Sequence, residues 1–274
     1  MLVALGELAT KQTVGVTTIN VAKDVTHFLN YAATHPDAQI KYHASGMVLH
    51  IDSDASYLSV SKARSRVGGH YYLSSDSLDS TKAPMHDPAP NGPLHAVCAI
   101  MKNVMASAAE AEMGGLFVNG KEAIILRTTL GELGHPQPPT PIKTDNSTAA
   151  GIANKTIRQR RSRSMDMRFY WVRDRVQQGQ FIIYWRPGTE NRGDFYTKHH
   201  PPTHCRLHRK HYVHEWKERA AQKLSTGILQ GCANLGISLG TRALDLTTRS
   251  RAQNTGLTLS PAIGKYLTKY RRMY

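Results

Sequence analysis

With 274 residues and 40% hydrophobic content, the chain has enough apolar material for one sizeable domain with tails or two small domains, and is expected to be globular at least in part. Its 35 Lys and Arg against 20 Asp and Glu give a formal charge of +15 and a pI near 9.9. That balance favours a polyanionic partner, nucleic acid or an anionic membrane surface, and weighs against a structural protein with no ligand.

Histidine, present 14 times, can add positive charge below neutrality. Cys98, Cys205 and Cys232 are odd in number and far apart, so neither a disulfide framework nor a CxxC zinc site is written here, and a reducing intracellular location fits. The N-terminal MLVALGELATKQ lacks a basic region before its apolar start, and no apolar run approaches the roughly 18 residues of a membrane span. Neither a signal peptide nor a transmembrane segment is expected.

Residues 1–17 carry no pattern. From Thr18, the positions Val21, Ala22, Val25, Phe28, Leu29 and Ala32 recur at helical spacing and predict an amphipathic helix ending before Pro36. In Gly46–Tyr57, GMVLHIDSDASY, Met47, Leu49 and Ile51 alternate with Val48, His50 and Asp52, which predicts a strand with one apolar face. Asp52 and Asp54 then share the other face. Two carboxylates at the end of a buried strand can begin a divalent-cation site, because hard cations take oxygen ligands. The same residues also fit a strand running into an Asp/Ser turn.

Val67–Leu73, VGGHYYL, follows after a short turn and suggests a hairpin; residues 74–93, rich in Ser, Asp and Pro, read as a mobile insertion. Leu94–Ile100 is the third predicted strand. From Ser107 to about Leu133 the pattern is helical, with Ala109, Met113, Leu116, Phe117 and Ile124 on one face and Glu110 and Glu112 on its opposite borders. Periodicity does not say which carboxylate points inward, and either fits a solvated helix edge. After a Pro-rich turn at 136–141, Ile142–Thr144 reads as a short strand, and Asp145-Asn146-Ser147 before AAGIAN as strand end, turn and helix start. Asp145 fits a site residue or an N-cap.

A basic cluster, RQRRSR at 158–163, leads into a helix predicted over Met165–Gln178, where Phe169, Tyr170, Trp171 and Val172 interleave with Arg168, Arg173 and Arg175. A basic run with aromatics can grip a phosphate backbone, and the net charge favours that reading over a merely solvated face. Phe181–Trp185, FIIYW, is a clear strand stopped by Arg186-Pro187-Gly188, and Asp194 follows in TENRGDFYTK, Thr189–Lys198. The next stretch holds His199, His200, His204, Cys205, His208, His211 and His214 without standard zinc-ligand spacing, and is expected to be a basic surface segment. Beyond it, EWKERAAQKL reads as helical and the remainder as Thr, Ser and Gly punctuated with a basic end. Neither an internal repeat nor a GxxxxGK[ST] phosphate loop occurs. Three strands, helix, strand, helices and strand give an α/β layer with an antiparallel start.

Acidic residues thus stand in one order: Asp54, Glu112, Asp145, Asp194. With SDASY at 53–57, EAEM at 110–113, TDNSTAAGIA at 144–153, MDMRFYWVRDRVQQG at 165–179 and ENRGDFYTKHHP at 190–201, the chain resembles the ribonuclease H region of copia-type retrotransposon polyproteins over about residues 18–205. The resemblance implies a ribonuclease H-like α/β fold, a mixed five-stranded sheet flanked by helices. It divides the chain into a connecting helix segment at 1–45, the domain at 46–205 and a poorly ordered basic extension at 206–274. By the family pattern Asp54, Glu112, Asp145 and Asp194 are the catalytic, metal-binding carboxylates; this selects Asp54 over Asp52 and Glu112 over Glu110. The implied cofactor is a pair of Mg2+ ions, with Mn2+ as a substitute, and the implied reaction is hydrolysis of the RNA strand of an RNA–DNA hybrid. Arg158, Arg160, Arg161, Arg163 and Arg168 are the expected phosphate contacts.

The chain departs from the pattern at Ala108-Ala109 for Ser-Thr, at Met113 for an aromatic, at Gly193 for Ala, and at Ser164 before Met165 where Lys-His is common. It carries no YxDD-type motif, so the expected partner is a polymerase domain of the same polyprotein, absent from this chain, and the expected location is cytoplasmic or nuclear. A catalytically inactive nucleic-acid-binding remnant is the alternative. An integrase of the same fold normally uses three carboxylates, and ENRGDFYTK favours the ribonuclease branch.

Overall fold

The computed structural model describes residues 1–13, 19–78, 87–89, 91–157 and 167–215, all within one compact unit, Met1–Trp216. Helix α1 (Leu2–Thr13) and helix α2 (Ile19–Ala33) precede strand β1 (Val48–Val60). Strand β2 (Arg64–Ser74) returns beside β1 as the predicted hairpin, and β3 (His95–Ile100) adds to its far edge. Helix α3 (Ala108–Glu132) then leads to β4 (Thr140–Thr144), α4 (Ser147–Ala153), α5 (Met167–Gln177), β5 (Phe181–Trp185) and α6 (Pro202–His208). Two 3-10 turns, Gly188–Glu190 and Arg192–Tyr196, lie between β5 and α6. The helix expected from EWKERAAQKL and the basic end that follows it lie outside the described residues, apart from Glu215.

The sheet order is β3-β2-β1-β4-β5. β1 and β2 pair antiparallel from Val48 opposite Ser74 to Ser56 opposite Arg66, whereas β4 runs parallel to both β1 and β5. This mixed five-stranded sheet flanked by helices is the ribonuclease H-like arrangement that the resemblance implies. Its parallel pair β1 and β4 sits at the centre, in a register that sets Asp54, midway along β1, level with Asp145 just past the end of β4.

Strand alternation divides the two faces. Leu49, Ile51, Val67, Tyr71 and Ile142 pack with Ala111, Met113 and Leu116 of α3, and with Phe169 and Val172 of α5, in the apolar core. Buried Asn119 fixes α3 to the sheet by donating to Ser53 Oγ at 2.8 Å and to the Gly68 carbonyl at 2.9 Å. His50, Asp52, His70, Tyr72, Lys143 and Tyr184 are also buried, although most are polar. The turn Arg192–Tyr196 covers part of this group, with the Tyr196 hydroxyl 3.0 Å from His70 Nδ1.

Three sequence expectations change. Residues 2–13 form α1, which buries Val3, although no apolar pattern announces it. The predicted helix near 18–33 is present as α2, but Val25 and Leu29 of its apolar stripe are exposed. The described part of the 74–93 insertion is pinned at several points: Asp76 meets His50, Asn91 bonds to His43 and Leu73, and Asp87 reaches Lys143. Among the described residues, no helix is long and apolar enough to cross a membrane.

Candidate active site

Asp54 lies midway along β1, buried, and Thr197 Oγ1 donates to its Oδ2 at 2.5 Å. Two residues earlier, Asp52 is equally buried but already satisfied in charge. Lys143 Nζ lies 3.0 Å from Asp52 Oδ2, and Arg192 donates to the same oxygen from its backbone at 3.2 Å and its guanidinium at 3.4 Å. Burial would raise the Asp52 carboxyl, but Lys143 and Arg192 outweigh it and hold the group below its ordinary range. Among the described residues, no ion pair reaches Asp54.

Glu110 and Glu112 divide in the same way. Ser107 is the N-cap of α3, accepting from Glu110 N at 3.2 Å, and the Glu110 carboxylate turns back to accept from Ala106 N at 2.7 Å. Glu110 is therefore a capping residue. Glu112 is buried and points to the sheet edge, accepting from Ala55 N at 3.0 Å and from Thr144 Oγ1 at 3.2 Å.

At the end of β4 the N-cap of α4 is Asn146, whose side chain accepts from Ala149 N at 2.9 Å. Asp145 is thus not the cap. It sits beside Gly188, where an added Cβ would stand 2.7 Å from Asp145 Oδ2. Trp185 Nε1 donates to the Asp145 carbonyl at 2.9 Å, tying the ends of β4 and β5 together.

One oxygen from each of Asp54, Glu112 and Asp145 lies within 4.8 Å of the others. Asp194, on the turn Arg192–Tyr196, is close enough to act electrostatically on both Asp54 and Asp145. Burial, then the charges of Asp145 and Asp194, push the Asp54 carboxyl up to about 7 against the opposing Thr197 hydrogen bond. Burial, then Asp54 and Asp145, raise Glu112 well above the carboxylate range, and burial followed by Asp194 raises Asp145. Mutual repulsion with no paired cation on Asp54, Glu112 or Asp145 among the described residues is the electrostatic condition that a bound divalent cation relieves. The all-oxygen donor set fits a hard ion such as Mg2+ or Mn2+. Lys198 forms an ion pair with Asp194 at the rim.

A buried ionic group positions the turn that carries Asp194. Lys143 Nζ donates to the Glu190 carbonyl at 2.6 Å and to Asp87 Oδ2 at 2.8 Å, and Asn191 Nδ2 donates to the Ser53 carbonyl at 2.8 Å. Gly193 is pressed against β1: a Cβ there would stand 2.8 Å from the Asp52 carbonyl oxygen and 3.0 Å from Asp54 N. The departure from Ala at this position is therefore matched by a backbone approach that leaves no room for a methyl group. Sequence reading missed Lys143, Thr144 and Thr197. β4 alternation fixes Lys143 on one face, but only the pairing of Asp52 with Lys143 across β1 and β4 reveals their contact.

No family model matches the chain. It is 29% identical over 99 residues to the retrovirus-related Pol polyprotein from transposon TNT 1-94 of Nicotiana tabacum; the match takes in 36% of this chain and 8% of that polyprotein. Among solved structures, LC11-RNase H1 isolated from compost is 11% identical, with a TM-score of 0.40, covering 55% of this chain and 93% of its own. The N-terminal RNase H domain of rv2228c from Mycobacterium tuberculosis is 13% identical, with a TM-score of 0.37, covering 55% of this chain and 91% of its own. LC11-RNase H1 in complex with an RNA/DNA hybrid aligns with a TM-score of 0.37 at 11% identity, over 54% of this chain and 93% of its own.

The expected phosphate contacts fare differently. Arg158, Arg160, Arg161 and Arg163 lie outside the described residues. Arg168 opens α5 and donates to Asn103 Oδ1 at 3.2 Å. The aromatics interleaved with these arginines mostly serve the core: Phe169 is buried, and Trp171 packs edge-on against Phe117 at 5.3 Å between ring centroids. Tyr170 alone of the three rings is strongly exposed, with Arg173 over its face.

Proposed function

We propose that this chain is a retroelement-derived ribonuclease H-type domain that hydrolyses the RNA strand of RNA–DNA hybrids, with divalent ions held by Asp54, Glu112, Asp145 and Asp194. The observation that supports this reading is the convergence of four acidic residues, from the middle of β1, the end of β4, one helix and one 3-10 turn, beside the central parallel strands. Bound to that set, Mg2+ or Mn2+ supplies activation of the attacking water and stabilisation of the leaving 3′ oxygen.

The chain's own residues prepare the carboxylates for that work. Thr197 orients Asp54, while Thr144 and the Ala55 amide fix both oxygens of Glu112. Trp185 holds the backbone at Asp145, and the Lys143 and Asn191 bonds hold the approach to Asp194. No protein nucleophile enters the scheme. Arg168 and the cluster at Arg158, Arg160, Arg161 and Arg163 are proposed to contact phosphates, and a polymerase domain of the same polyprotein is the proposed partner.

The test is cleavage of a labelled RNA–DNA hybrid by the full chain in Mg2+, alongside single-stranded RNA and duplex DNA. Cleavage confined to the RNA of the hybrid, abolished by EDTA and by Asp145→Asn, is the expected result. A second reading, a remnant that binds hybrids without cutting them, is favoured by one feature: Lys198 already neutralises Asp194. Tight hybrid binding, unchanged in Asp54→Asn and without cleavage, would establish that reading in place of the first.

A further inference from the structure

Immediately after the Asp194 turn the chain folds back, and α6 brings imidazoles over the same carboxylate. One ligand atom from each of Asp194, His200 and His204 lies within 4.8 Å of the others. His200 is well enclosed, its side chain only 7% exposed, with Nε2 3.4 Å from Asp194 Oδ2 and 3.0 Å from the Asp194 carbonyl oxygen. Its ring is part of a stack: Phe195 lies parallel at 5.7 Å, His204 at 4.2 Å, and His208 lies a further 4.2 Å beyond His204. Two further imidazoles point elsewhere or lie farther along: His199 is turned out to Glu7, and His211 sits at the far end of the column.

We propose that Asp194, His200 and His204 form a second metal site, for a divalent transition-metal ion of the zinc class, which shares Asp194 with the carboxylate centre. The donor sets of the two sites differ in kind. Asp54, Glu112 and Asp145 offer oxygen alone, which suits hard ions, whereas two imidazole nitrogens and one carboxylate favour Zn2+, Co2+, Ni2+ or Cu2+. Three protein ligands at a partly exposed position leave a coordination place for water. The His200 and His204 rings are nearly parallel at 4.2 Å, so His204 must turn out of the stack for its nitrogen to meet an ion held by His200 and Asp194. Filling the site requires Lys198 to leave Asp194; its side chain is 53% exposed and free to swing into solvent.

Sharing Asp194 sets the consequence. An ion held by His200 and His204 takes one oxygen of the carboxylate that the oxygen centre also uses, so occupancy of the histidine site is coupled to the oxygen centre through Asp194.

Co2+ titrated into the full chain with Mg2+ in excess tests this, because nitrogen-ligated Co2+ absorbs in the visible. The expected result is a saturable visible spectrum, displaced by Zn2+ and weakened about tenfold or more in His204→Ala. His204→Cys should restore binding and add a thiolate-to-cobalt charge-transfer band. Asp54→Asn should leave the spectrum in place, and an unchanged unfolding midpoint in His204→Ala shows that the fold is intact. A spectrum that is absent, or that persists unchanged in His204→Ala, overturns the assignment. The readout is independent of hybrid cleavage, so failure of this site and failure of the ribonuclease reading are told apart.

Discussion

Asp52 and Asp54 are two residues apart on one strand face, yet the protein treats them as opposites. Asp52 is held charged by Lys143 and Arg192, while Asp54 is pushed up to about 7 by burial and by Asp145 and Asp194. A carboxyl raised in the folded state binds its proton more tightly than in the unfolded chain, so its contribution to stability is greatest in acid and is lost as pH rises through about 7. The metal-free protein should therefore lose thermal stability between about pH 4 and pH 7. Added Mg2+ should raise the unfolding midpoint more at pH 8 than at pH 5, and Asp54→Asn should flatten the profile; differential scanning fluorimetry with and without EDTA checks both. The four acidic positions were legible in the sequence only through their order along a family pattern. Their physical distinction was not, because it rests on which cations lie across the sheet and on Asn146 and Glu110 taking the capping roles.

At the scale of elements, the site depends on how the turn Arg192–Tyr196 is clamped against β1. Lys143 is fully buried and joins Asp52, Asp87 and the Glu190 carbonyl. Lys143→Met leaves Asp52 buried without its closest cation, and should cost about 3 kcal/mol in urea unfolding, with a fall in any hybrid cleavage as the Asp194 turn loosens. Gly193→Ala should destabilise the protein by about 1–3 kcal/mol in the same measurement, because its Cβ meets the backbone of β1. The first strand was legible by alternation, the other four as short runs of β-forming residues between turn signals, and α3 by the recurrence of Ala109, Met113, Leu116, Phe117 and Ile124. Helix α1 was not, since LVALGELATKQT has no consistent apolar stripe, and what anchors it is tertiary: Val3 is buried and Glu7 lies 3.7 Å from Arg66. Nor does composition reveal that the His-rich segment is α6, folded back on the acidic motif.

For the whole molecule, a formal charge of +15 accompanies an acidic centre, a balance suited to drawing in a polyanion whose local charge divalent ions would then meet. Hybrid affinity should fall steeply with salt. Replacing Arg158, Arg160, Arg161 and Arg163 by Gln should reduce the slope by about 0.9 for each phosphate that is no longer neutralised, as measured by fluorescence anisotropy across a salt series. An unchanged slope would remove these arginines from the interface. The most direct measurement compares hybrid cleavage rates of Glu112→Gln and Glu110→Gln in the full chain. These residues share one helix turn, but Glu112 joins the carboxylate cluster and Glu110 caps the helix. The expected result is a fall of more than about 100-fold for Glu112→Gln, greater than removal of an outer supporting group, with Glu110→Gln close to the unmodified chain. Equal rates in the two variants would contradict catalysis by the convergent carboxylates.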